Sequence, residues 1–318
     1  MMATLRPFIL VVLLGSLGCA GALSSNPPKA ASGDGEVQRE SETRDESAAS
    51  VPWWKEKNPC PEGAELTGQS PPAGNDVACK KRGEFHGPRM IFHENGLPAR
   101  GTVYYLGKLQ GRYTQWFESG AVEEEGFYRD GLLEGQVVRY FPNGNERMRG
   151  EYRQGKESGV FSSYSESGVK TEEVEFREGK RHGMRRTFYE TGKTQEEFEY
   201  AGNVRHGMAR SFHPNGEKRS EGKYANDLQV GVWRYFSENG KAEEELIYEA
   251  GVKSGVCLKW HDNGVKSMEG AYKVDKKHGR FSYFDEYGEL TKTEDYQSGR
   301  LMRAKKHATK TKLAQARR

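Results

Sequence analysis

Glycine recurs along this chain with a constant period of 24 residues. Nine glycines, from Gly87 to Gly279, follow one another at this interval without an insertion or a deletion. A second glycine lies nine residues after each of them, from Gly96 to Gly288. Nine copies of 24 residues therefore cover residues 87–302, which is 216 of the 318 residues. Such a period is typical of repeat proteins, in which each copy packs only against its neighbours.

The pattern of substitutions predicts two turns in each copy. If the first glycine is position 0, position 20 is glycine in six copies and Asn203, Asp227 or Asp275 in the others. After glycine, Asn and Asp best tolerate a positive φ, so position 20 is predicted to be left-handed. The second glycine, at position 9, is preceded by asparagine in five copies, and Asn-Gly is a strong hairpin signal.

Two columns of aromatic residues fill the segments between these turns. Positions 5 and 17 are aromatic in all nine copies. The position-5 column consists of Phe92, Trp116, Tyr140, Tyr164, Phe188, Phe212, Phe236, Trp260 and Phe284. The position-17 column consists of Tyr104, Tyr128, Tyr152, Phe176, Tyr200, Tyr224, Tyr248, Tyr272 and Tyr296. Short aromatic-rich segments bounded by turn residues predict β-hairpins, and glycine at this frequency excludes helices.

We therefore predict an all-β fold: an elongated, twisted, single-layer antiparallel sheet of nine hairpins. At about 4.8 Å per strand, about 18 strands would extend roughly 85 Å. The aromatic columns would form stacked ladders, which explains how a chain that is only 34% hydrophobic can fold. We expect both columns on the inner face of the twisted sheet, and charged positions on the outer face. The charged positions include the glutamate column Glu125, Glu173, Glu197, Glu221, Glu245 and Glu269.

Residues 1–22 are typical of an export signal. Arg6 precedes an apolar run that begins at Phe8 and is too short to span a membrane, which needs about 20 apolar residues. Residues 16–19 resemble a bacterial lipobox, and cleavage there would leave Cys19 as a lipidated N-terminus. Cleavage after Ala22 would instead release a soluble protein. Residues 23–52 are polar and predict a disordered linker.

The other three cysteines lie beyond this linker. Cys60 and Cys79 flank a Pro- and Gly-rich stretch within residues 53–86, which we interpret as an N-terminal cap. In an oxidising compartment this pair is predicted to form a disulfide, and two free thiols are the alternative. Cys257 is at position 2, where other copies carry large apolar residues, so we expect a buried small residue rather than a nucleophile.

The repeat pattern resembles the MORN repeat, specifically its bacterial variant. Residues 207–216 and 248–251 fit that pattern well, and the resemblance covers about two thirds of the chain. Arg303 replaces the closing glycine and Tyr287 replaces asparagine in the last copy, as expected of a terminal repeat. The resemblance implies a scaffold for protein–protein or membrane-surface contact without catalysis. Some bacterial members of the family carry an antitoxin label.

Two columns of polar residues could suggest a metal or catalytic site. The histidine column consists of His86, His182, His206 and His278, each just before the first glycine. Equivalent positions in adjacent hairpins are about 9–10 Å apart, too far for two ligands of one zinc ion. The glutamate column has the same spacing, which would suit an inverting glycosidase, but a repetitive surface gives no glutamate a distinct role as the acid. We predict no catalytic residue, metal, cofactor or small-molecule substrate, and a net charge of +3 does not indicate a nucleic-acid partner.

The leading functional prediction is a non-enzymatic cell-envelope scaffold with an unidentified protein partner. A lipid anchor at Cys19 would place it in the outer membrane, and Ala20 is compatible with that sorting; a secreted or periplasmic protein is the alternative. Residues 303–318 form a basic tail that would either bind anionic lipid headgroups or remain solvated. Two other functions stay open: an antitoxin-like partner of a toxin in the cytoplasm, or a carbohydrate- or peptidoglycan-binding module that uses Trp116 and Trp260.

Overall fold

The computed structural model describes residues 52–308, which form one open antiparallel sheet of 24 strands and a short 3-10 helix, Trp53–Lys55. The strands are β1 (Glu65–Gln69), β2 (Asp76–Lys81), β3 (Glu84–Phe92), β4 (Pro98–Tyr105), β5 (Lys108–Leu109), β6 (Gly111–Trp116), β7 (Val122–Arg129), β8 (Leu132–Leu133), β9 (Gly135–Tyr140), β10 (Glu146–Arg153), β11 (Lys156–Tyr164), β12 (Lys170–Arg177), β13 (Lys180–Phe188), β14 (Thr194–Ala201), β15 (Val204–Phe212), β16 (Lys218–Ala225), β17 (Leu228–Phe236), β18 (Ala242–Glu249), β19 (Val252–Trp260), β20 (Lys266–Lys273), β21 (Lys276–Lys277), β22 (Gly279–Phe284), β23 (Leu290–Gln297) and β24 (Arg300–Lys306). Across residues 52–308 we find no helix long and apolar enough to cross a membrane.

The strands follow one another across the sheet in sequence order, as a meander. The two-residue strands β5, β8 and β21 pair with the same neighbours as β6, β9 and β22, and each is in effect the start of that longer strand. Among the described strands, β1 pairs only with β2, and β24 pairs only with β23. The predicted all-β sheet of antiparallel hairpins is therefore confirmed.

The turn at positions 19 and 20 has positive φ at both residues in all nine copies. Leu106 and Gly107 have φ of 46° and 77°, and Val274 and Asp275 have φ of 50° and 60°. Two successive left-handed residues are the hallmark of a type I′ turn, which suits the twist of a hairpin. The left-handed conformation predicted at position 20 is confirmed. Position 19 is left-handed as well, although its residue types gave no indication of this.

Successive turns of this type are hydrogen-bonded to one another. The N–H of position 20 donates to the carbonyl oxygen of the residue 22 places earlier, as from Gly131 to Leu109 at 2.8 Å. Where Asp275 replaces glycine, its Oδ1 also accepts from the N–H of Lys253 at 2.9 Å. The substituted copies therefore keep the turn and add a second bond to the preceding copy.

The first glycine of each copy lies at a β-bulge. Between β10 and β11, Arg149 is opposite Ser162 and Glu151 is opposite Ser158, so that residues 159–161 face Gly150 alone. Gly159 has a φ of 77° there, in the left-handed region that glycine adopts most readily in a bulge. The bulge explains why position 0 is glycine in every copy.

The sheet extends beyond the nine copies at both ends. Strands β1 and β2 lie inside the region interpreted as a cap, and Arg82 and Gly83 form the same left-handed turn as positions 19 and 20, with φ of 53° and 87°. Gly83 lies 24 residues before Gly107, so this hairpin is in phase with the repeat. At the other end, β24 runs past the expected end of the repeats at residue 302. The expectation of about 18 strands was therefore too low.

Candidate binding surfaces

The register assigns each position of the repeat to one of two faces of the sheet. Residues directly opposite each other on paired strands point to the same face. Tyr113 is opposite Gly126, which places positions 2 and 15 on one face together with positions 4, 13 and 17. Thr114 is opposite Glu125, which places positions 3 and 14 on the other face together with positions 1, 5 and 16. We call the first the ladder face and the second the charge face.

The two predicted aromatic columns lie on opposite faces. Position 17 is opposite position 0 and therefore lies on the ladder face. Position 5 lies on the charge face, where the Tyr140 hydroxyl donates to Glu125 at 2.6 Å. The expectation that both columns share an inner face, with the glutamates on the other side, was wrong. Because position 0 pairs with position 17, only even positions of the first strand share a face with position 17, and position 5 is odd.

The most buried residues form a single file along positions 2 and 15 of the ladder face. Val137, Cys257 and Phe281 are fully buried, and the file also includes Tyr113, Phe161, Val174, Ala209, Trp233 and Leu246, each at most 8% exposed. Rings of position 17 flank the file on one side, with centroid distances of 5.4 Å for Tyr152–Phe161 and 5.2 Å for Tyr224–Trp233. The core is therefore a mixed ladder supported by one aromatic column, rather than two aromatic columns.

Large and small residues compensate each other along this file. Gly150 lies beneath Phe161, Gly222 beneath Trp233 and Gly270 beneath Phe281. A Cβ at these three glycines would lie 2.2, 2.2 and 2.4 Å from the nearest ring atom. The sequence analysis missed this file; the visible signal was glycine at position 15 in those copies where a large residue occupies position 2 nearby.

The charge face carries an alternating ladder of charged residues across seven consecutive strands, β12 to β18. We call this set the charge ladder; it consists of Glu173, Arg186, Glu197, Arg210, Glu221, Arg234 and Glu245, each opposite the next. Arg186 Nε lies 3.1 Å from Glu197 Oε1, and Arg234 Nε lies 2.9 Å from Glu245 Oε2. Four members of the predicted glutamate column are therefore opposite arginines. The other two are also partnered: Glu125 accepts from Tyr140, and Glu269 pairs with Lys266 at 2.7 Å.

Carboxylates of the ladder face are bound by tyrosines. The Tyr113 hydroxyl donates to Glu124 at 2.6 Å, and Arg139 forms an ion pair with the same carboxylate. Burial, with this hydrogen bond, raises the pKa of Tyr113. Near the C-terminal end, hydrogen bonds from Tyr283, Lys292 and Tyr296 lower the pKa of Glu294 to about 2.

The cysteines of the sheet have structural environments. Cys60 and Cys79 form a disulfide with a Cα–Cα distance of 5.5 Å, which joins the segment before β1 to β2. Cys257 is fully buried opposite Leu246 and Gly270. Burial raises the pKa of the Cys257 thiol, and a protonated, inaccessible thiol is a poor nucleophile.

The histidine column makes local polar contacts. His86 Nδ1 accepts from the N–H of Leu106 at 3.3 Å. Between residues 52 and 308 there is no cluster of three or more His, Cys, Asp and Glu side chains suited to a metal ion. A different set of histidines, at position 6, connects adjacent copies: His93, His213 and His261 bond to backbone carbonyls of the next copy at 2.8–2.9 Å.

Several predicted features fall outside the described residues. These are the export signal and Cys19, nearly all of the linker, and the basic tail from residue 309 onward. The first part of the predicted tail lies in β24, whose seven residues are all exposed.

Comparison with known proteins identifies the repeat type. The family model described as "MORN repeat variant" matches residues 109–130, 181–201, 205–226 and 229–250. The comparison with curated proteins found no significant match to this chain.

Among solved structures, the similarities are weak. They include the Glycosylation Associate Protein (Gap123) complex from Streptococcus agalactiae, 18% identical, with 36% of this chain and 20% of that chain covered and a TM-score of 0.23. A TcdB2–TccC3 structure is 11% identical, with 74% of this chain and 17% of that chain covered and a TM-score of 0.19. A porin-like protein from Bacteroides uniformis is 8% identical, with 76% and 92% covered and a TM-score of 0.18. The chain thus spans about a fifth of the first two structures. The four matched segments all lie within the 24-residue period, and the chain therefore carries MORN-variant repeats within one continuous hairpin sheet.

Proposed function

We propose that this chain is a non-enzymatic scaffold of the cell envelope that binds a partner protein through its charge face. The observation that carries the proposal is the charge ladder. Side chains in exposed ion pairs add little to stability, typically 0–1 kcal/mol each. An ordered alternation of charges over seven strands instead suits electrostatic complementarity, which gives specificity and orients a partner.

Exposed apolar side chains accompany this ladder on the same face. At position 1, Val160, Val232 and Val256 are 45%, 39% and 51% exposed. Apolar contacts beside ordered charges are the usual composition of a protein-binding surface. MORN-variant repeats at four places support a scaffold role in general terms.

Site-specific photo-crosslinking tests the binding surface. A photoreactive amino acid at Val232 should crosslink to a single partner in cells, whereas one at Lys259, exposed on the ladder face, should not. The variant with Arg210→Gln and Arg234→Gln should reduce the Val232 product at least severalfold, because it removes two ladder charges at little cost to stability. Equal crosslinking from both faces, or a product unaffected by the double variant, would contradict a charge-face interface.

The envelope part of the proposal rests on residues 1–22 and is tested separately. A palmitate analogue should label the protein, and Cys19→Ser should abolish the label. The intact mass and N-terminus of the mature protein distinguish a lipidated Cys19 from cleavage after Ala22. An intact Met1 would favour the cytoplasmic, antitoxin-like alternative instead.

A further inference from the structure

A depression on the ladder face interrupts the filled columns between β14 and β17. At positions 4 and 13, other copies carry long side chains, such as Tyr235 and Met268, whereas here Ser211 and Ser220 are short. The resulting cavity has a volume of about 130 Å³. Its apolar lining consists of Phe198, Ala209, Tyr224 and Trp233. Ala209 and Trp233 are 2% and 5% exposed, so this part of the lining is closely packed.

Glu196 lines the depression without a cationic partner. In other copies the glutamate at position 13 has one: Glu172 pairs with Arg185 at 2.7 Å, and Glu244 pairs with Lys259 at 3.2 Å. The residues opposite Glu196 on the two neighbouring strands are Thr187 and Ser211, which are uncharged. Among residues 52–308, no Lys, Arg or His forms an ion pair with Glu196. A half-buried carboxylate gains most from a cation that it does not yet have.

Arg219 lines the same depression without an anionic partner. Its Nε donates to Ser211 Oγ at 3.3 Å, and within the described part of the chain no carboxylate pairs with it. Arg205, by contrast, is already engaged, because it stacks 4.2 Å above the Tyr224 ring and its Nε donates to Asp227 at 2.9 Å. Arg219 is therefore the arginine of the depression that remains available to an anion.

A buried hydroxyl without a partner lies beside these charges. Thr187 is directly opposite Glu196, and its Oγ1 is buried with no hydrogen-bond partner among the described residues. Most buried polar atoms in proteins are bonded, and an orphaned one often marks the place of a water or a ligand. The adjacent hydroxyls of Ser211 and Ser220 are bonded to each other at 2.6 Å.

We propose that this depression binds a small zwitterion, namely a free α-amino acid with an aliphatic side chain. The ammonium group would pair with Glu196, the carboxylate with Arg219, and the side chain would pack against Phe198 and Ala209. The cavity is well below the roughly 300–1,000 Å³ of pockets for drug-sized ligands, which excludes larger molecules. This site is independent of the partner surface, because it lies on the other face of the sheet.

Calorimetric titration of the purified full chain tests the proposal. Alanine, valine and leucine are the zwitterionic probes, and at least one of them should give saturable binding. Valinamide keeps only the ammonium group and N-acetylvaline keeps only the carboxylate. Each should bind roughly 10- to 100-fold more weakly than valine, because each loses one charged hydrogen-bonded contact. No saturable binding of any zwitterion at about 10 mM, or equal binding of the single-charge analogues, would overturn the proposal.

Matched variants locate the site. Ser211→Tyr fills the depression with the residue that copies 7 and 9 carry at position 4, so it should fold normally and abolish binding. Glu196→Gln and Arg219→Gln should each weaken binding at least tenfold. The controls Glu244→Gln and Arg147→Gln change the same repeat positions in other copies and should bind as the unmodified chain does. Undiminished binding by Glu196→Gln, which preserves shape, would refute the site even if Ser211→Tyr did not fold.

Discussion

Replacement of Gly150 by alanine tests the file of compensating residues on which the sheet depends. Gly150 is buried, and a Cβ there would lie 2.2 Å from both Cδ1 and Cε1 of Phe161. The ring cannot move aside easily, because Tyr152 and Phe176 lie against it at 5.4 and 5.1 Å between centroids. The substitution therefore forces a side chain into a filled core.

The sign of the effect separates this account from a simpler one. Overpacking of a filled core costs about 1–3 kcal/mol. A glycine-to-alanine change without a clash would instead stabilise the fold by about 0.4–1 kcal/mol, because it restricts the unfolded chain. We expect a net loss for Gly150→Ala. Gly101→Ala is the matched control: its Cβ would meet only side-chain ends, 3.2 Å from Trp116 and 3.3 Å from Met90, so its effect should be near zero.

Equilibrium urea denaturation, followed by circular dichroism and tryptophan fluorescence, measures these free energies. In a Phe161→Ala background the Gly150→Ala change should no longer destabilise, which gives a coupling energy of at least about 1 kcal/mol. The reasoning fails if Gly150→Ala is as stable as the unmodified chain, or if its cost is unchanged once the ring is removed.

Three further predictions concern the turns, the disulfide and the pH dependence. Val274→Asn should raise the free energy of unfolding by about 1 kcal/mol, because a β-branched residue is held at a φ of 50°; an unchanged melting temperature would contradict this. Cys60→Ser should remove about 3 kcal/mol, since Cys60 and Cys79 are 19 residues apart, and hydrogen exchange should accelerate in β1–β3 but not in the middle of the sheet. Glu294 has its pKa lowered to about 2 by hydrogen bonds from Tyr283 and Lys292. Its stabilising contribution is therefore present above the unfolded pKa of about 4.3 and is lost as the pH falls from there towards 2. Glu294→Gln should flatten that acid limb in denaturation curves measured from pH 6 to pH 2, and an identical acid limb would exclude this role.

The repeat and its turns could be predicted because each turn imposes a local backbone requirement that residue type reveals. Positive φ at position 20 restricts the residue to Gly, Asn or Asp, and nine copies repeat the restriction. Position 19 gave no such signal: Leu106 and Val274 are left-handed there because the hairpins on both sides enforce it. The in-phase hairpin before Gly87 was missed, since of its turn residues only Gly83 keeps the glycine of position 20.

The depression and the charge ladder depend on contacts between strands, which the order of residues along the chain does not display. Glu196 and Glu244 occupy the same repeat position, and only the residues on neighbouring strands decide that one has a cationic partner and the other has none. The glutamate column was visible in the sequence, but its alternation with Arg186, Arg210 and Arg234 required the register.

By itself, the sequence determined that this chain folds as repeated antiparallel hairpins, because glycine spacing acts on each turn locally. Only the tertiary structure decided which side chains share a face. A side chain's face alternates with every residue, so a shift of one residue in pairing reverses it. The pairing of position 0 with position 17 therefore separated the two aromatic columns and placed the core along positions 2 and 15.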